Sequence, residues 1–464
     1  MKNNASPLPD DSLSMSPSIE KLQNYVKVFQ EKKQKPDFAD VEAQLHNMVM
    51  NIEKEALESC LSEYDVDVPS ISVDGEIYNK VVRCETDYQS SAGILRVTRS
   101  LYRIKGGLPT ICPLEMKAGV VEGRWTPRAA RQGIWAVAHM TPQESEDLFK
   151  EIGNMEPSKS SLDRLPKKIG ALWEASFIEH QAMIRLDEEI PAEAVTVAIC
   201  LDGVMVPMSK VDSVTDEVSE AQYKEASCGT ISLYDKDGER LSTVQIGRMP
   251  EHKKATLKLQ LKLELEGLLS KRPDLNIVKL ADGAKDNWGF LENDILSGRS
   301  LLDFWHMSEY MKEAFDAAYP NDTGKSFGQF EKYKAILKND KAGTDKFIRC
   351  LRNLHKTHPK NSTIKRTLTY IRNNKHRMHY AVALELNLPI GSGVVEASCK
   401  TLVTQRLKRS GMRWQMHGGQ AILSFRSLIK SNRFDKAWDI ISLTYKGVVD
   451  MPKNVVVLPA NKRI

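Results

Sequence analysis

Seven cysteines are scattered over the chain, at 60, 84, 112, 200, 228, 350 and 399, and no two make a Cys-x-x-Cys pair. That spacing argues against a zinc ribbon, a thioredoxin-type site or a secreted disulfide scaffold. No run of about 18 apolar residues is present, as a membrane-spanning helix would require. The first twenty residues carry Asp10, Asp11 and several Ser and Pro in place of an apolar core, which argues against a signal peptide. No Gly-x-x-x-x-Gly-Lys-Ser/Thr loop occurs, so a P-loop kinase or NTPase is disfavoured. A net excess of one charge sign is also nearly missing: 66 Lys+Arg face 61 Asp+Glu, a net charge of +5. What is present is an ordinary core-forming composition, 41% hydrophobic in 464 residues, enough for two to four domains in a reducing compartment.

Residues 1–16, rich in Ser, Pro, Asp and Asn, read as a disordered tail. Over 17–68 the pattern is a helical hairpin broken by Pro36. Its stripe is Val41, Leu45, Met48, Ile52, Ala56 and Cys60, suited to packing or dimerisation. Short β-favouring stretches around Ile77, Val81, Val82 and Ile94 to Leu101 predict a small sheet within 69–126. Residues 127–190 predict three helices, Pro127–His139, Pro142–Ile152 and Ser158–Ile184, an order compatible with a helix-turn-helix DNA-binding domain. Pro166 interrupts the presumed recognition helix.

From 193 the period changes. Ala194–Leu201 is an almost unbroken apolar run, as in a strand buried on both faces, and Asp202-Gly203 is read as its end. Gly229–Tyr234 and Glu239–Ile246 are two further strands around an Asp237-Gly238 turn. Alternating leucines at 257–265 look strand-like, but their partners Lys, Gln and Glu and the segment's length predict a helix over 251–270. Leu275–Ala281 is another buried strand and also meets Asp-Gly, at Asp282-Gly283. Leu301–Phe304 is a short strand before His306.

Two strands whose ends carry Asp bring carboxylates into one crevice, where like charges repel unless a cation neutralises them. Oxygen-only donors favour Mg²⁺ or Mn²⁺. Glu396, on the first turn of a helix after the Gly-rich Pro389–Gly393, is the third carboxylate. Lys400, Arg406, Lys408, Arg409 and Arg413 follow it on what reads as one element. Charge is concentrated nearby. Residues 321–380 hold 15 Lys+Arg against 4 Asp+Glu, and residues 397–434 hold eight Lys/Arg and no acid. Two divalent ions on such carboxylates, in a basic cleft, suit phosphoryl transfer on nucleic acid.

Leu201-Asp202-Gly203-Val204, Ala281-Asp282-Gly283-Ala284, Gly391-Ser392-Gly393-Val394-Val395-Glu396 and Arg406-Leu407-Lys408-Arg409-Ser410-Gly411-Met412-Arg413-Trp414 resemble DDE insertion-sequence transposases, in particular the family named after the Kra insertion sequence. The resemblance covers roughly residues 90–445. It implies an α/β RNase H-like catalytic core formed by 191–305 plus 391–445, a helical basic insertion at 306–390 that clamps DNA, and a C-terminal tail at 446–464. Asp202, Asp282 and Glu396 become the metal-binding triad for two Mg²⁺ or Mn²⁺ ions. His306, in Asp303-Phe304-Trp305-His306, joins them as a catalytic residue at the insertion's start. Asp303 and Asp286 are competing metal candidates. Lys400, Arg406, Lys408, Arg409, Arg413 and Trp414 are expected on DNA, with Trp288 and Trp305 as further aromatics near the triad. The implied partners are double-stranded terminal inverted repeats, target DNA and a second copy of the chain. The implied place is the bacterial cytoplasm, on the nucleoid when bound to DNA. A catalytically inactive or domesticated DNA-binding protein, or an RNase H-like nuclease without strand transfer, are the alternatives. The cysteine-paired zinc element that relatives often carry before the catalytic domain has no counterpart here, where Cys112 stands alone.

Overall fold

The computed structural model describes residues 17–107, 110–153, 155–209 and 222–450. The expected tail at 1–16 and residues 451–464 of the expected C-terminal tail lie outside the described residues. The chain forms two compact units, one holding the described residues up to Leu165 and from Asp439 onward, the other Pro166–Trp438.

In the first unit, α1 (Pro17–Glu31) and α2 (Phe38–Ser62) flank Pro36 as expected, with Asp37 capping α2 through Ala39 N. The stripe of α2 drifts, however. Val41 and Leu61 are buried and Leu57 packs on the same cluster, whereas Ala56 and Cys60 face solvent. An α-helix turns 100° per residue, so a strict four-residue repeat walks off one face. Strands β1 (Ser70–Val73), β2 (Glu76–Ser90), β3 (Gly93–Ile104) and β4 (Thr110–Ile111) form an antiparallel meander. The stretches read as short strands fuse into a long β2–β3 hairpin, which turns at Gly93 (φ +101). Tyr88, Leu95 and Val97 from it bury against Leu61, Leu114 and Val120. The short helix α3 (Pro113–Ala118) follows, then α4 (Pro127–His139) and α5 (Pro142–Ile152), with the expected bounds. Thr141 and Glu144 make a reciprocal capping box at the start of α5. The single helix expected over 158–184 is two: α6 (Lys159–Ala175), divided between the units after Leu165, and α7 (Phe177–Asp187), in the second unit, with the break at Ser176 (φ −127, ψ 34). The break folds His180 back so that its ring stacks on Trp173 at 4.6 Å. Pro166 lies inside α6 without ending it.

The second unit is built on a mixed five-stranded sheet. Its strands are β5 (Thr196–Met208), β6 (Gln222–Tyr234), β7 (Arg240–Arg248), β8 (Asn276–Ala281) and β9 (Arg299–Leu302), in the spatial order β7-β6-β5-β8-β9. The first three pair antiparallel and the last two join parallel. The leucine-alternating segment is α8 (Ala255–Lys271), after a 3₁₀ turn at His252–Lys254. Leu257, Leu261, Leu265 and Leu268 are its buried face and Leu259 points to solvent, so helical spacing prevails over the alternation. Glu264, fully buried on α8, is held by Gln181, Arg185 and Arg433, a buried charge satisfied on every side. Helix α9 (Lys285–Asn293) follows β8, and α10 (Phe304–Ala318) follows β9. Next come α11 (Thr323–Asn339), α12 (Gly343–Thr357), α13 (Ser362–Asn374) and α14 (Tyr380–Glu385), the helical stretch between the last strand and Glu396. Then α15 (Gly393–Ser398) runs through a π-helical turn, Cys399–Thr404, into α16 (Gln405–Leu407). After these, α17 (Met416–Lys430) packs against β7, and α18 (Phe434–Thr444) ends the described helices. No helix among the described residues is long and apolar enough to cross a membrane.

Candidate functional site

Asp202 does not end its strand. β5 continues through Asp202-Gly203 to Met208, because its antiparallel partner β6 begins at Gln222 and keeps pairing, with Asp202 opposite Cys228. The Asp-Gly pair, a turn signal in sequence, is overridden by that long-range partner. What does end here is the parallel pairing on the other side, whose last register is Cys200 with Leu280. Asp202 therefore sits just past the end of the parallel half of the sheet, at a level where β6 still pairs with β7 through Cys228 and Gly247. At the same level Asp282 follows β8 directly, as read from sequence. Its Oδ1 accepts from Ala284 N (3.1 Å) and Asn287 Nδ2 (3.3 Å), and its carbonyl accepts from Trp288 Nε1 (2.5 Å). Gly283, next to it, lies beneath the ring of Tyr370 from α13, and a Cβ at 283 would collide with that ring.

Glu396 lies on the first turn of α15, exposed, with Oε1 accepting from Ser392 Oγ (2.8 Å). α15 packs on both β5 and β6, which brings this late helix to the strand carrying Asp202. The Asp202 carboxyl feels the other two. Burial, first, and then the charges of Asp282 and Glu396 push the Asp202 carboxyl above its ordinary range, while the Gly203 amide and the Lys254 ammonium pull it down.

The remaining sequence candidates are placed differently. Asp303 is completely buried and caps α10: Oδ1 accepts from His306 N (2.5 Å), and Oδ2 accepts from the Ser392 amide just ahead of α15. Both oxygens are thus committed to backbone amides, and Asp303 fixes the approach to Glu396's helix. Asp286 lies in the first turn of α9, paired with Lys258 Nζ at 2.7 Å. The imidazole of His306 faces Glu309 on its own helix (Nδ1 to Oε2, 3.5 Å) and meets Tyr310 edge-on. Arg406 is a correction to the sequence reading. It is 1% exposed, its guanidinium lies over the Trp414 ring at 5.2 Å, and it props the interior instead of facing solvent. The helical element also stops at Leu407, so the basic residues do not share one helix. Lys400, Lys408, Arg409 and Arg413 are exposed. Trp414 is half-buried. Its indole N–H donates to Leu407 O (2.9 Å) and its backbone pairs with the end of β5. Trp288 is buried under Arg377, and Trp305 is 52% exposed.

Sequence reasoning passed over several neighbours of the carboxylates. Lys254 Nζ reaches Glu225 Oε1 (3.0 Å) and Asn287 Oδ1 (3.3 Å). The basic run His252-Lys253-Lys254 was the available signal. Cys399 Sγ lies 3.8 Å from Asp202 Oδ2, and Cys228 sits beside Cys399. The hydrogen bond with Cys399, together with burial, holds the Cys228 thiol well above the usual range. That disfavours Cys228 as a thiolate ligand. The donors available to a cation are carboxylate oxygens, a set that fits a hard divalent ion. Among the described residues, no three or more His, Cys, Asp or Glu side chains are grouped so as to hold a metal ion.

No family model matches the chain, and no curated protein matches it. Among solved structures it is similar to the Drosophila P element transposase in its strand transfer complex, at 10% identity and a TM-score of 0.25, over 68% of this chain and 83% of that one.

Proposed function

We propose that the chain is a DDE transposase of the Kra insertion-sequence type, with an RNase H-like core. It would bind the double-stranded terminal inverted repeats of its element as a homodimer or larger assembly, cleave at the ends and join 3′-hydroxyls to target DNA. The observation that carries this reading is geometric. Asp202 and Asp282 stand at the same level, just past the end of the parallel pairing of β5 with β8, and the helix carrying Glu396 packs on β5. The strand order β7-β6-β5-β8-β9, three antiparallel strands followed by two parallel ones, supports the same core, as do the helices between β9 and α15.

Asp202 with Glu396 would hold one divalent ion and Asp202 with Asp282 the other. Bound there, Mg²⁺ or Mn²⁺ supplies activation of the attacking hydroxyl and stabilisation of the departing 3′-oxygen. The protein's own residues do the positioning. Asn287 and the Ala284 amide aim the Asp282 carboxylate. Asp303 braces the turn ahead of Glu396, and Ser392 orients Glu396 directly. The exposed Lys400, Lys408, Arg409 and Arg413, with the basic helices α11–α13, offer charge to phosphates.

The test is cleavage of a labelled element end in vitro. Asp202→Asn, Asp282→Asn and Glu396→Gln should each abolish cutting while DNA binding persists. An Asp202→Asn protein that still cuts with Mg²⁺ refutes the assignment. Cutting without joining to target DNA would make the chain a nuclease instead.

A further inference from the structure

The turn between β7 and α8 is bent in an unusual way. Lys253 (φ 51) and Lys254 (φ 54) are consecutive residues in the left-handed region, although both carry a Cβ. Such residues cost on the order of 1 kcal/mol each, and strain of this sort persists where the surroundings impose it and concentrates at functional sites. Here it has an evident product, the position of one ammonium group. The Lys254 side chain is only 14% exposed. Its Nζ lies 3.0 Å from Glu225 Oε1 and 3.3 Å from Asn287 Oδ1. Asn287, itself buried, donates to Asp282 Oδ1 at 3.3 Å. Glu225 occupies the space above Gly203, the residue after Asp202. The ammonium is thus tied to both sides of the carboxylate cluster, to Asp282 through one amide and to the Asp202 strand through Glu225. Lys258, one turn further along α8, is paired with Asp286 and takes no part.

From this geometry we infer that Lys254 is the resident counter-cation of the Asp202–Asp282 cluster, neutralising it in the ion-free protein and giving way when a divalent ion enters. The inference rests on the reading of these carboxylates as a divalent-ion site. A partly buried ammonium is retained only where negative charge compensates it. A lysine stem with four rotatable carbons can withdraw without moving the backbone. Ammonium and divalent ion then draw on the same negative charge, so binding of one weakens the other, and the effect is reciprocal.

The experiment uses the full chain. Wild type, Lys254→Gln, Lys254→Arg, Lys258→Gln and Asp202→Asn are titrated with Mn²⁺ alone and Ca²⁺ alone by calorimetry, and melting is followed in parallel. Lys254→Gln should melt lower without ions and bind Mn²⁺ on the order of tenfold more tightly, the size of a typical coupling. Lys254→Arg and Lys258→Gln should stay within about twofold of wild type, since both leave that charge in place. Equal or weaker Mn²⁺ binding by Lys254→Gln overturns the inference. A second readout needs no variant. In wild type, acetylation of Lys254 by an amine-reactive reagent, read by mass spectrometry, should accelerate severalfold when Ca²⁺ is added, and an unchanged rate overturns the inference equally. If wild type takes up no ion in an Asp202-dependent way, the carboxylate reading itself fails. If uptake depends on Asp202 but is indifferent to Lys254, only the counter-cation role fails.

Discussion

Replacing Asp303 separates a structural carboxylate from a metal ligand. Its Oδ1 caps α10 at His306 N and its Oδ2 takes the Ser392 amide, and it is wholly buried. Loss of an N-cap costs about 1 kcal/mol. Leaving the buried Ser392 N–H without an acceptor costs about 1–3 kcal/mol more. Asp303→Ala should therefore lose about 2–4 kcal/mol, equivalent to a drop of roughly 2–7 °C in a protein of this size. Asp303→Asn keeps one carbonyl oxygen but turns an NH₂ toward one of the two amides, so it should lose about 1–3 kcal/mol. The assay is thermal and urea unfolding of the ion-free protein, followed by tryptophan fluorescence. A metal ligand behaves in the opposite way: neutralising it leaves the ion-free protein as stable as before, or more so, and removes ion binding. If Asp303→Asn unfolds with wild-type stability in the absence of ions, the bracing role is refuted.

Arg406→Ala, which empties the space over Trp414, should destabilise the fold by about 2–4 kcal/mol. Lys408→Ala should stay within about 0.5 kcal/mol in stability, but lower the slope of log K against log salt for DNA binding by about 0.9. The reverse pattern in denaturation and filter-binding assays contradicts the placement of these two side chains. Burial and the neighbouring carboxylates raise the Asp202 carboxyl, so folding disfavours its charged form. The resulting destabilisation is fully present above the folded value and vanishes below the ordinary carboxylate range. In ion-free protein, Asp202→Asn should therefore melt higher than wild type at pH 8, with the gap closing as pH falls toward 4. A gap that widens on acidification is inconsistent with that direction.

Local signals fixed where several of the proposed residues fall in the fold. Asp282 after its strand, Glu396 on a first helical turn and the helix hidden in the alternating leucines all follow from propensity and spacing within a few residues. Asp202 shows the limit. Whether a strand stops at Asp-Gly depends on its partner, and β6 pairs past it from a distant segment. The same holds for Arg406, whose burial depends on Trp414 arriving over it, and for Lys254, whose left-handed backbone no local rule favours for lysine. The split at Ser176 accompanies the stacking of His180 on Trp173, which the apolar spacing does not announce. Asp303 looked like a ligand in sequence because a buried carboxylate and a metal-binding one share the same neighbours, and only its two amide partners tell them apart.

The ring of Tyr370 resting on Gly283 has a consequence for anyone who would rebuild this protein from parts. A long helical segment between the last strand and Glu396 invites treatment as an exchangeable cassette. Its seat, however, is cut into the host: the hollow that admits the tyrosine exists only while position 283 has no side chain. A foreign cassette lacking that ring would leave a void beside Asp282, and a host with alanine at 283 would reject the native one. The two pieces can drift only together, and chimeras should succeed when the tyrosine and the glycine are moved as a pair.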